Sequence, residues 1–302
     1  MTISFRPDSS RLPRLLRALA AMLAALLLAG IAPADAGEPV LTLDFPHQHE
    51  QLTRAALLKN PAVRSLVIPA DVAYKRTMVY RAVPLRTIVH DLGDMKALQF
   101  KAEDGFVATL PVSLLTGAAQ PWIAIEPPDK PWPPLKLGGR SAGPFYLVWL
   151  SPERSNVSPE QWPYQLRAIS ETDALPETSQ EILPDASLPK DSAEYRGLQV
   201  YSANCASCHR INGVGAANVG PDLNLPFSPT EYFQPAFLRR YIRNPASVRS
   251  WPGMKMPGFP ESVISDAQLN DLLAYLRSLA NRRNAAQAPQ QHAVKPPAPA
   301  HP

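Results

Sequence analysis

Two domains are predicted for this chain of 302 residues: an N-terminal α+β domain with a mostly antiparallel sheet, followed by an all-α domain. Three observations predict them. Short runs rich in β-branched and aromatic residues recur between 65 and 169, apolar residues at helical spacing dominate after 192, and an acidic, proline-punctuated stretch at 171–191 separates the two. Thirty-five prolines against 14 glycines point to long extended connections and tails. A hydrophobic content of 45% is enough for ordinary buried cores.

The chain opens like an export signal. Arg6, Arg11, Arg14 and Arg17 precede an uncharged run from Ala18 to Ile31, and Ala34-Asp35-Ala36 supplies the small-x-small pattern that a signal peptidase cuts after. The run of 14 residues is short of the roughly 20 that a membrane-spanning helix needs. Residues 1–36 are therefore expected to be a signal peptide cleaved near Ala36, with the mature protein periplasmic and membrane-attached only if the segment is retained. No arginine pair precedes the run, which favours export of an unfolded chain and later insertion of any cofactor. Cleavage removes four arginines and two aspartates, so the formal charge of +4 falls to +2, and the pI of about 9.1 overstates the basicity. No basic stripe with interleaved aromatics is present, and nucleic acid is not expected as a partner.

In the α+β domain, residues 40–170, strands are expected at 65–69, 98–111 with a turn at Asp104-Gly105, 122–126, 145–150 and 164–169. Short helices are expected near 51–59 and 84–91. His47 and His49 would share a face of a possible strand, where a metal needs a third ligand that is not visible. Trp122, Trp132, Trp149 and Trp162 read as core or rim, with the proline-flanked Trp132 the most exposed. Residues 171–191 read as a linker. Residues 281–302, rich in Ala, Pro and Gln with almost no large apolar side chain, read as a disordered tail.

The chemistry is concentrated at "NCASCHRINGVG", residues 204–215, which holds the only two cysteines, Cys205 and Cys208, with His209 directly after. A disulfide closing so short a loop constrains the unfolded chain little and has no use for His209. A thioredoxin-like site wants a strand before the motif and a helix after it, whereas here a helical pattern precedes and a glycine-rich loop follows. Zinc needs two more ligands, and the next histidine is His292 in the tail. Cys-x-x-Cys-His is left as a covalent attachment site for one haem c: the two thiols reach the vinyl groups on one porphyrin edge and His209 projects over the iron. The other axial position is open to methionine, histidine, water or nothing, and "PGMKMPGF" at 252–259 offers Met254 and Met256.

Residues 192–280 resemble a class I monohaem cytochrome c domain. The resemblance rests on Cys205, Cys208 and His209, on "GPDL" at 220–223, on "KMPGF" at 255–259 and on a closing helix at 265–279. It implies the all-α cytochrome c fold, a carbonyl of Pro221 directed at the other nitrogen of His209, and Met256 as the second axial ligand, with Met254 as competitor. A methionine thioether is soft and weakly basic, so it favours ferrous iron while closing it to substrates. Ser265 and Gln268 form a capping-box start, followed by an apolar face from Leu269 to Leu279. In the resembled fold this helix crosses the N-terminal one, a close approach that Gly197 would permit beside Tyr201 and Tyr275. A further helix is expected across 229–245 despite Pro235, with Arg239, Arg240, Arg243 and Arg249 along one side of the haem edge.

The N-terminal string "VYRAVPLRTIV", the "DGF" hairpin, "AGPFYLVW" and "WPYQLRAI" are similar to the molybdopterin-binding domain of the sulfite oxidase family, although Ala82 stands where that family has glycine. The family holds molybdenum through a cysteine thiolate, and this chain has no cysteine outside the haem motif, so a cofactor-free relative without molybdenum is expected. The function expected is single-electron transfer between periplasmic redox partners, a dehydrogenase or an oxidase, with the N-terminal domain used for docking. The chain reads as an electron carrier rather than a catalyst by itself. Two alternatives are a haem subunit of an oxidoreductase whose N-terminal domain binds substrate or pterin, and a haem-based gas sensor.

Overall fold

The computed structural model describes residues 37–173, 175 and 178–291. The expected signal peptide, 1–36, lies outside the described residues. From Val40 onward the described residues form one compact unit, and most of their buried apolar side chains fall into two clusters, one among the strands and one among the C-terminal helices.

Nine strands build the N-terminal region: β1 Val40–Phe45, β2 Gln48–Thr53, β3 Arg64–Ile68, β4 Met78–Pro84, β5 Ala97–Ala102, β6 Val107–Pro111, β7 Pro121–Ile125, β8 Phe145–Trp149 and β9 Leu166–Thr172. They form a five-stranded sheet, β2-β1-β9-β5-β6, and a four-stranded sheet, β3-β4-β7-β8. All pairings are antiparallel except β1 with β9, where Leu43 lies opposite Ile169. β1 buries Leu41, Leu43 and Phe45 and turns the residues between them outward, the period-two pattern of a half-buried strand. β8 is buried on both faces.

Three expectations change here. The helix expected at 51–59 shrinks to α1, Arg54–Leu58, because β2 occupies the chain up to Thr53, whose hydroxyl caps the helix by accepting from Ala56 N–H at 3.1 Å. The stretch at 84–91 contains only a 3-10 turn, Leu85–Thr87, and Asp91 is left-handed at φ 51°. A short α2, Val112–Leu115, follows β6. Trp132 is buried at 8% exposure, its ring edge-on to Tyr80 at 4.7 Å, and Leu137 in the same proline-rich loop is the exposed one.

The C-terminal region holds α3 Ala193–Asn204, α4 Pro229–Tyr232, α5 Pro235–Arg243 and α6 Asp266–Gln291. The single helix expected across 229–245 is two helices. Pro235 cannot donate a backbone hydrogen bond and keeps Gln234 extended (ψ 138°), so α4 stops and α5 restarts. The capping box forms as read: Gln268 N–H donates to Ser265 Oγ at 3.2 Å and Ser265 N–H to Gln268 Oε1 at 2.8 Å.

The expected linker and tail also differ. Ile182 is fully buried in the helical cluster, and its carbonyl accepts from Tyr275 OH at 2.8 Å. α6 continues through residues 281–291, where disorder was expected, and polar anchors replace apolar ones at the start of this stretch. Arg282 hydrogen-bonds Leu183 O, and Arg283 bonds Asn224 O and the Glu231 carboxylate. Residues 292–302 lie outside the described residues.

Candidate functional site

The site begins where α3 ends. Cys205 leaves helical geometry at φ −120° while its N–H still donates to Tyr201 O at 2.8 Å. Cys208 and His209 N–H then both donate to Cys205 O, at 3.0 and 2.9 Å, closing a tight turn. Both cysteines are free, and both line a cavity of about 470 Å³ together with His209, Met256 and Glu160. That volume is in the range of pockets that enclose cofactor-sized ligands. Leu223, Leu238, Ile242, Phe259, Leu272 and Leu276 supply apolar wall.

The glycine-rich loop returns under His209. Pro221 O accepts from His209 Nδ1–H at 2.7 Å, which fixes the tautomer and leaves Nε2 with its lone pair. Burial lowers the imidazole pKa, opposed by the hydrogen bond to Pro221, so the ring is held neutral, the form that ligates iron. A Cβ on Gly220 would lie 2.3 Å from His209 Cε1, so only glycine lets the backbone pass so close. Asp222 organises the loop: its carboxylate accepts from the N–H groups of Asn212, Gly213, Asn224 and Leu225 at 2.7–3.1 Å.

Burial, with Glu160 adding to it, pushes both thiols up to about 12. They stay protonated at neutral pH, unlike the thiolates of zinc and dithiol redox sites. That suits anchors that end as neutral thioethers. The apolar walls, the two thiols, an imidazole with a free nitrogen and a thioether together fit a haem attached through Cys205 and Cys208. Among known families, the Cytochrome c model matches residues 195–280. This segment is a cytochrome c domain. It implies covalently bound haem c and haem-based electron transfer. No curated protein matches the chain.

The cytochrome c domain brings all five expected residues, Cys205, Cys208, His209, Pro221 and Met256, to one place. Met256 lines the cavity and packs on the helical cluster, whereas Met254 is not in the cavity wall. The arginines divide. Arg243 is turned inward, its guanidinium bonded to Phe259 O at 2.9 Å, to Ile264 O and to Asp266 at 2.7 Å, so it fastens the end of α5. Arg240 and Arg249 instead lie over the exposed rings of Phe237 and Trp251, at 5.3 and 5.5 Å. His49 pairs with Asp44 at 2.8 Å, and among the described residues no cluster of metal-holding side chains forms around it.

Sequence reasoning passed over Glu160. It belongs to the 3-10 turn Pro159–Gln161 of the N-terminal region, yet lines the haem cavity. Burial raises its carboxyl pKa to about 7, with Lys75 acting in the opposite direction. Its neighbour Ser158 donates to Asn204 Oδ1 at 2.7 Å, directly before Cys205.

Proposed function

We propose that the chain is a periplasmic one-haem cytochrome that carries single electrons between a dehydrogenase and an oxidase or another terminal acceptor. The observation that carries this reading is a single apolar cavity lined by Cys205, Cys208, His209 and Met256, with His209 Nδ1 already committed to Pro221 O. A haem would be held covalently by Cys205 and Cys208 and its iron by His209 and Met256, with Pro221 O orienting His209. When bound, the haem supplies a one-electron couple. The chain supplies the rest: apolar walls that exclude water, a neutral imidazole, and a thioether that leaves no open position for a substrate.

The docking face is the rim formed by α5 and the loop after it. Residues 232–260 contain five basic side chains and no acidic one. Of these, Arg243 pairs with Asp266 and Lys255 with Asp104, while among the described residues Arg239, Arg240 and Arg249 have no carboxylate partner. With Tyr232, Phe237 and Trp251 exposed beside them, the rim suits an acidic redox protein held in a small, short-lived interface. The N-terminal domain adds surface to one such interface; its exposed Val67 and Val79 face each other across β3 and β4.

Absorption spectra of the haem-matured protein, oxidised and reduced, test the reading, with metal analysis on the same sample. The near-infrared band of a thioether on ferric iron, one iron per chain and no molybdenum are the expected result. A missing band or bound molybdenum would overturn the closed electron carrier in favour of an open haem or a second cofactor.

A further inference from the structure

One hairpin of the N-terminal region reaches the three loops that carry the cysteines with His209, Pro221 and Met256. β5 and β6 are joined by the turn at Asp104 and Gly105, with Gly105 at φ 92°. Asp104 Oδ2 lies 3.0 Å from Lys255 Nζ, Gly105 O accepts from Asn218 N–H at 3.2 Å, and Val107 N–H donates to Ser207 O at 3.1 Å. Ser207 lies between the two cysteines, Asn218 is three residues before Pro221, and Lys255 directly precedes Met256. β6 is the last strand of its sheet, so the Val107 N–H is an edge donor that the cysteine loop satisfies.

The methionine loop has most to gain from this contact. Among the described residues, Lys255 is the only side chain of residues 250–258 that makes a hydrogen bond or ion pair. A thioether is a weak, neutral ligand, and its hold on a metal depends on how well the surrounding chain orients it. We infer that the hairpin is an intramolecular clamp on the haem site, with Asp104 a positioning residue that steadies Met256 through Lys255. The inference rests on the reading of Met256 as axial ligand. It gives the N-terminal domain a role inside the chain that needs no partner protein.

The ion pair is half-exposed, its side chains 51% and 40% accessible. An exposed pair contributes little to global stability, so the clamp shows in ligand exchange rather than in unfolding. The test uses full-length, haem-loaded ferric protein and imidazole, which competes with Met256 for the iron. Asp104→Asn is the variant of choice: the turn bond from Phe106 N–H to Asp104 Oδ1, at 3.1 Å, survives while the charge is lost. Asp104→Asn is expected to speed imidazole entry about two- to five-fold, the range an exposed pair supports, with the near-infrared band and unfolding midpoint retained. Asp104→Glu restores slow entry, and in a Lys255→Gln background Asp104→Asn adds nothing. Unchanged entry in Asp104→Asn with the band intact would overturn the clamp, as would a full effect in the Lys255→Gln background. A wild-type protein without the band would overturn the ligand reading first and the clamp with it.

Discussion

Gly197 and Asp271 mark a close approach of α3 to α6: a Cβ on Gly197 would lie 2.1 Å from Asp271 O and 2.6 Å from Tyr275 Cβ. Beside the crossing, Arg196 bonds both oxygens of the Asp271 carboxylate, at 2.8 and 2.9 Å, and the Tyr201 and Tyr275 rings meet at 6.1 Å. The obstacle is backbone, which cannot rotate away, so even one methyl group must push the helices apart. Gly197→Ala is expected to cost about 1–3 kcal/mol, the usual penalty of overpacking. Denaturant unfolding of the haem-loaded protein measures it, and an unchanged midpoint would mean that the crossing yields freely.

A second glycine is tied to the ligand itself. Gly220→Ala would place its methyl 2.3 Å from His209 Cε1 and 2.5 Å from Nδ1, displacing the imidazole and stretching its bond to Pro221 O. The ferric spectrum should shift toward a weaker-field or high-spin form. Gly93→Ala, with nothing within 4 Å and no positive φ, is the control that should leave the spectrum unchanged.

How much of this was legible depends on whether the partners are close in the chain. Haem attachment needs two thiols and an imidazole on one turn, so Cys205, Cys208 and His209 had to be neighbours in sequence. The α3–α6 crossing was legible only through the resemblance to the cytochrome c fold, in which Gly197 stands where two helices approach closely. β2 was legible only as a possible strand at His47 and His49, and its run to Thr53 was not: its residues carry no apolar alternation, and pairing with β1 makes it a strand. Nor was Ile182, one of four large apolar side chains in an acidic, proline-punctuated stretch, buried by elements far along the chain. Asp104 and Lys255 are 151 residues apart, and no local pattern announces such a pair. The same holds for Glu160, whose place in the haem cavity is decided by how two regions pack.

The choice between the two methionines has a direct check. Met256 lines the cavity and packs on the helical cluster, while Met254 is absent from the cavity wall and has its N–H bonded to Trp251 O at 3.2 Å. Met256→Ala should abolish the near-infrared band, lower the reduction potential and let ferric iron take up imidazole readily. Met254→Ala should keep the band. A band lost in Met254→Ala and kept in Met256→Ala would reverse the assignment.

Glu160 makes stability depend on pH in a direction unusual for a carboxylate. Burial raises its pKa from 4.5 in the free group to about 7 in the fold, against the opposing charge of Lys75. The folded chain therefore binds the proton more tightly than the unfolded chain between these values, and stability falls as pH rises through that window. Below pH 4.5 the group is neutral in both states and costs nothing; above pH 7 the fold carries a poorly solvated carboxylate in the wall of the haem cavity. Glu160→Gln is neutral throughout and removes the slope. Unfolding midpoints of the haem-loaded protein at about pH 4 and about pH 8 should then match wild type at the lower value and exceed it at the higher. Parallel curves for the two proteins across the window would mean that Glu160 keeps an ordinary carboxylate pKa, through solvent reaching it from the haem side.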